Sequence, residues 1–402
     1  MAGSIPRTVH APATALALTD RPRRDPVFAA LSAVKRTMDG LHRAARYDFP
    51  PPDSRISVSD LDQLDEVQCI EVADATRYAL PTTEAPMGAN TTHGESYQVA
   101  IASQAIFSIG GGRVYGEGHA ILPDNCLVDG FYPSFDGRDR HWLLGLGNLP
   151  PPTRVAGSVA VLSSPGSSNY YHWTLEAPHR LHVLRNNGIH ADWYYAGTKT
   201  QFQRDWLSKM DIPIERVLPA DAETHIQADT LIMTTVPRCH GVYNQSTYET
   251  LERYFPSPPP NTDRRLYISR GCSRRRRIVN EAAVVSALHS YGYEVHTLGE
   301  KRIEEQAEMF ASASHIVAAH GAELTNLVYC RPYTRVVEIL SPSYINPCYW
   351  AIATQKGLNY SSMLGSGYVP SSKSKYLPHR VWCNIKVPVS ELVDRLSSIH
   401  SS

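Results

Sequence analysis

The chain has 402 residues, enough for two or three domains of roughly 150 each. With 42% hydrophobic and 19% charged residues it has the composition of an ordinary globule. Its 39 Lys and Arg against 39 Asp and Glu leave no global field to gather nucleic acid or an anionic membrane, so any polyanion site must be local. Seven scattered cysteines with no CxxC pair argue against a zinc ribbon or a disulfide framework. No apolar run of about 18 residues is present to span a bilayer, and no secretory core opens the sequence, so a cytoplasmic protein is expected. In that setting the glycosylation-type triplets at Asn90, Asn244 and Asn359 count as coincidence.

In chain order, residues 1–26 form an aperiodic arm and 27–46 carry helical spacing. Short apolar runs over 97–146, cut by Gly110-Gly111-Gly112, Gly116 and Pro123-Asp124, predict a small antiparallel meander. Residues 1–150 are thus an N-terminal β-rich leader. After Pro150-Pro151-Pro152 the rhythm becomes strand (158–162), helix (171–187, closed by Gly188), strand (193–195), helix (203–210), strands (216–218 and 230–233) and helix (248–254). Beyond Pro258-Pro259-Pro260 the alternation restarts: strands at 265–269, 294–297, 315–319 and 335–340, helices at 280–291, 304–313, 323–329 and 349–356. A Ser-rich loop over 361–374 and a last helix over 389–399, packing back across the linker, complete the chain. The expected fold is α/β, with two Rossmann-like doubly wound halves (151–260 and 261–402) facing a cleft where the strand ends meet.

Three segments could carry chemistry. The loop Ser269-Arg270-Gly271-Cys272-Ser273-Arg274-Arg275-Arg276-Arg277 follows a strand and leads into a helix, where forked guanidiniums and helix amides suit a diphosphate. The alternative is a solvated basic run. His320-Gly321-Ala322-Glu323-Leu324-Thr325-Asn326 follows a buried strand, and its glycine lets backbone approach a ligand. An ordinary capped turn explains it equally well, and no GxGxxG or P-loop accompanies it. In Asn169-Tyr170-Tyr171-His172-Trp173-Thr174-Leu175-Glu176, His172 and Glu176 stand at i and i+4, a spacing fit for acid–base work or for a surface pair worth a few tenths of a kcal/mol. Aromatics such as Tyr170, Tyr171, Trp173, Tyr243 and Trp350 could line a pocket or fill a core. No HExxH, GxSxG or metal-ligand spacing occurs, so no metal site is expected.

The order of these blocks, joined by Gln306-x-x-x-Phe310 and Val337-Glu338, resembles glycosyltransferase family 61, the DUF563 group, in a bacterial-type member. The resemblance covers 157 to about 345. It implies a GT-B-like arrangement and inverting, metal-independent transfer, with a place in polysaccharide biosynthesis. The co-substrate would be a nucleotide-diphosphate sugar, UDP-linked by preference, with no tightly bound cofactor. The acceptor would be a carbohydrate, a peptide or a small molecule, and nucleic acid would have no part. By position, Arg270 with Arg274, Arg276 and Arg277 would hold the diphosphate. His320, Gly321, Ala322, Thr325 and Asn326 would add donors, and Glu338 would meet the nucleoside. Asn169, His172 and Glu176 would face the transferred sugar and acceptor, with His172 or Glu176 as base. Glu323 departs from the family pattern, which more often has a small residue there. A non-catalytic nucleotide-sugar or glycan-binding relative and a sugar-nucleotide epimerase are the alternatives; self-association stays open.

Overall fold

The computed structural model of the chain describes residues 46–81, 96–131, 142–145, 147–239, 241–255, 263–271, 273, 275–342, 344–369 and 383–401. The arm and most of the helix expected over 27–46, the second linker and Arg274 lie outside them.

The first half runs β1 (Gln104–Gly110), β2 (Arg113–Tyr115), β3 (Thr153–Val161), α1 (Tyr170–Asn186), β4 (Trp193–Ala196), α2 (Gln201–Lys209), β5 (Val217–Pro219), β6 (His225–Thr234) and α3 (Gln245–Tyr254). β6, β3, β4 and β5 lie side by side in parallel, as the strand–helix rhythm predicts. The other edge of β6 is covered antiparallel by β1 and β2. The leader is therefore no separate unit, because its meander belongs to one ten-stranded sheet with β6. The physical reason is the length of β6: ten residues leave a long row of edge N–H and C=O groups that the meander satisfies.

The second half runs β7 (Arg264–Ile268), α4 (Glu281–His289), β8 (Glu294–His296), α5 (Ile303–Ala311), β9 (Ala313–Ala319), a 3-10 helix Ala322–Tyr329, β10 (Arg335–Leu340), α6 (Cys348–Gln355), β11 (Asn359–Leu364) and α7 (Val389–Ser401). Its five strands are all parallel in the order β8-β7-β9-β10-β11. The winding reverses between β7 and β9, and such a switch point opens a crevice beyond the carboxyl ends of the two strands. There β7 leads into the arginine loop and β9 into His320. β11 occupies part of the expected Ser-rich loop, with Tyr360, Ser362 and Met363 buried. α7 does not pack back on the first half: its Leu392 and Leu396 join Tyr267, Val284 and Leu288 under the second sheet's own face.

α1 is the joint between the halves. Asn169 caps it by accepting from the Tyr171 amide at 2.9 Å, and Gly188, at φ 69°, ends it where the Ile189 amide donates back to Leu184 O at 2.9 Å. Its Tyr171, Trp173 and Leu175 share one continuous core with Leu324, Leu327 and Val328 of the second half. Among the described residues no helix is long and apolar enough to cross a membrane.

Candidate active site

The first-half wall is built by the opening turns of α1. Glu176, one turn beyond His172, is only 1% exposed. Its oxygens accept from Ser164 Oγ at 2.6 Å, Arg238 Nη1 at 2.7 Å, Tyr243 OH at 2.8 Å and Arg180 Nη2 at 3.3 Å. Burial alone would raise its pKa, but Arg238, the hydrogen bond with His172 and Arg180 outweigh it and hold the carboxyl well below its usual range. The His172 ring lines the cleft, with Nδ1 3.5 Å from Glu176 Oε1 and 3.1 Å from Arg238 Nη1. The two residues expected to share one task are thus divided. The imidazole faces the cavity and the carboxylate stands behind it, and a surface pair is ruled out by the burial.

The second-half wall comes from the two strand ends at the switch point. Arg276, in left-handed backbone at φ 55°, donates from Nε to His320 O at 3.0 Å and lies over the Tyr344 ring at 4.9 Å. Burial, then the neighbouring Arg270, lower its pKa from the ordinary guanidinium value, the signature of a cation set among cations in a dry site. Arg270 is buried against the turn itself, since a Cβ on Gly321 would sit 1.5 Å from its Nη1. Any side chain at 321 would therefore have to displace the Arg270 guanidinium and the Glu323 carboxylate. Arg270 Nη1 also pairs with Glu323, and its Nη2 donates to Ser273 Oγ at 2.8 Å. The departure from the family pattern therefore holds an arginine.

His320 lines the cleft with Glu338 behind it: Nδ1 lies 2.5 Å from Glu338 Oε1, while Tyr360 OH donates to Oε2 at 2.5 Å. Burial lowers the His320 pKa against the upward pull of Glu338. That direction favours the neutral ring, and in the tautomer whose Nδ1–H donates to the carboxylate Nε2 carries the lone pair.

Several expected ligand contacts are absent. Glu338 is 0% exposed with both oxygens occupied, so it meets no nucleoside but fixes His320. Thr325 is buried and donates to Ala322 O at 2.6 Å. Asn326 is buried too, accepting from Tyr170 OH at 2.7 Å and donating to Gln306 Oε1 at 3.0 Å, which makes it a tie between the halves. Arg277 is exposed and outside the cleft lining, and Trp173 and Trp350 fill cores. Ala322 and Asn169 do line the cleft. Arg238 was missed by sequence reasoning: it sits in a two-residue strand paired with Val242–Tyr243, without periodicity to mark it, yet it contacts both His172 and Glu176.

The walls enclose a cavity of about 200 Å³, with Asn169, His172 and Arg238 on one side and Arg276, His320 and Tyr344 on the other. Among the described residues no group of three or more His, Cys, Asp and Glu side chains is placed to hold a metal ion. His172 and Arg238 of one wall and Arg276 and His320 of the other lie within one matched span. Residues 170–337 match the model of glycosyltransferase family 61. The family-61 segment begins on the first residue of α1 and ends one residue before Glu338. Over 100 residues, 22% of this chain, it is 32% identical to a β-1,2-xylosyltransferase of Arabidopsis thaliana, covering 19% of that protein. Over 61 residues, 15% of this chain, it is 39% identical to the β-1,2-xylosyltransferase RCN11 of Oryza sativa subsp. japonica, covering 11% of it. The similarity thus spans about a fifth or less of these curated relatives' lengths.

Proposed function

We propose that this chain is an inverting glycosyltransferase of GT-B-like arrangement that moves a sugar from a nucleotide-diphosphate donor to a hydroxyl acceptor without a metal. The observation that carries the reading is the convergence of His172 from one half with Arg276 and the His320 turn from the other around a single cavity. The family-61 segment supports transfer chemistry, and the xylosyltransferase names of the relatives favour a pentosyl donor such as a UDP-pentose.

On this reading Arg276 and the Ala322 and Glu323 amides, which precede the first bond of the 3-10 helix, Leu324 N to Gly321 O at 3.0 Å, receive the diphosphate and stabilise the charge that grows as it leaves. Arg270 supports that wall from beneath, balanced by Glu323. The lone pair on His320 Nε2 suits a hydroxyl or N–H of the donor rather than a phosphate oxygen. His172 is the base. The two hydrogens of Arg238 Nη1 are taken by Glu176 at 2.7 Å and Tyr243 OH at 3.1 Å, so Nδ1 of His172 can keep its own proton toward Glu176. Nε2 then takes the acceptor's hydroxyl proton as its oxygen attacks the anomeric carbon, opposite the departing diphosphate. Glu176 positions and stabilises the imidazolium that results.

A panel of UDP-, GDP-, CMP- and dTDP-sugars read by thermal stabilisation tests the donor. A ligand at 100 times its Kd adds roughly 2.7 kcal/mol, and Arg276→Ala should remove most of that gain. In a transfer assay with the active donor, His172→Ala should lower turnover by about 10²- to 10⁴-fold and leave donor stabilisation in place. A panel that stabilises nothing counts against the donor class; full turnover in the His172 variant removes it as base.

A further inference from the structure

The second sheet has an opposite edge, and it too is hollowed. A cavity of about 330 Å³ opens at the amino ends of β7, β9, β10 and β11, in the range of small-ligand pockets, about 300–1,000 Å³. Asp263, Ser314, Arg331, Arg335 and Asn359 line it, and Tyr333 stands on its rim. The seven residues of β9 separate this edge from the cleft, about 20 Å at 3.3 Å per residue.

Tyr333 is unusual on two counts. It is 78% exposed, and its backbone is left-handed at φ 67°, a conformation a bulky residue rarely adopts and that costs about 1–3 kcal/mol. The strain is locked in place from both sides: its amide donates to Gly357 O at 2.8 Å, and its carbonyl accepts from Asn359 Nδ2 at 3.3 Å. Packing does not explain a ring held this way in solvent. A ligand that uses the ring face does.

We propose that this pocket is a second saccharide-binding site, in which Tyr333 offers its ring face to the apolar C–H face of a neutral sugar while Asp263, Arg335 and Asn359 meet the hydroxyls. Sugars present these two surfaces together, and planar polar side chains beside an aromatic plate match both. Asp263 on the lining accepts from hydroxyls, and Arg335 and Asn359 donate to them. At this distance from the cleft the site anchors a neighbouring stretch of glycan rather than the reacting unit, and its binding does not depend on whether the cleft transfers sugar.

The probes are xylohexaose, cellohexaose and mannohexaose, titrated calorimetrically into the full chain. The expected result is that at least one binds and that Tyr333→Asn weakens it tenfold or more. Asn tolerates the left-handed backbone, so the melting midpoint of that variant should stay level or rise. Tyr333→Gly should behave the same way, whereas His172→Ala should bind like the parent. No binding by the parent chain, binding as tight as the parent's by both Tyr333 variants, or loss of binding in His172→Ala would each overturn the proposal.

Discussion

The two walls of the cleft use the same pair of side chains in different surroundings. On α1, His172 has Glu176 behind it; at the end of β9, His320 has Glu338 behind it from β10. Both carboxylates are almost fully buried, at 1% and 0% exposure. Glu176 lies between two guanidiniums, which hold its carboxyl below the usual range. Glu338 is met by the imidazole itself and by the Tyr360 hydroxyl, and there burial lowers the His320 pKa against the pull of the carboxylate. The lesson is that one pair of side chains can be set in opposite electrostatic surroundings, the carboxylate held by guanidiniums on one wall and by a neutral hydroxyl on the other.

Removing the carboxylate that arginines depend on tests this contrast most severely. Glu176→Ala leaves Arg180 and Arg238 buried without their counter-charge and should cost about 3–5 kcal/mol in urea unfolding; a loss below about 1 kcal/mol would show that the guanidiniums do not need it. On the other wall, Tyr360→Phe removes one neutral donor from Glu338 and should cost only about 1–3 kcal/mol, with donor affinity falling alongside as His320 loosens. If Tyr360→Phe proves the more damaging of the two, the contrast is inverted.

Acid titration gives the smallest and sharpest reading. The Glu176 carboxyl is held below its range in the fold, so between its unfolded value, about 4.3, and its folded one the unfolded chain binds the proton first. Its contribution to stability is therefore complete above that window and is lost as pH falls through it. Glu176→Gln should flatten this acid slope by up to about 1.4 kcal/mol per pH unit, as measured by unfolding midpoints across pH 5 to 3. An unchanged slope would mean that the carboxyl is not held ionised.

Much of the architecture was legible because it is local. The strand-then-helix rhythm, the cap at Asn169 and the stop at Gly188 each depend on a few neighbouring residues, and the arginine loop and His320 follow strands that the sequence marks clearly. What was not legible depends on distance. Arg238 reaches Glu176 across 62 positions from a two-residue strand with no pattern of its own. Glu338 was expected to meet a nucleoside, yet Val336-Val337-Glu338-Ile339-Leu340 is the apolar run of a strand buried on both faces, which already argued for a covered carboxylate. β11 was hidden by its adjacent serines, Ser361 and Ser362, which break any alternation, and it becomes visible only once β10 offers an edge to pair with. The covering of β6 by the meander likewise follows from an exposed edge that no local window contains.

The tie at Asn326 bears on how substrates enter. Tyr170, Asn326 and Gln306 link the halves through one chain of hydrogen bonds, set in an apolar core that runs unbroken from α1 into the 3-10 helix. A wide clamshell swing would expose that core to water and strand a buried amide, so the lobes are welded near their base. Any opening of the cleft that parts the two halves must first break that tie.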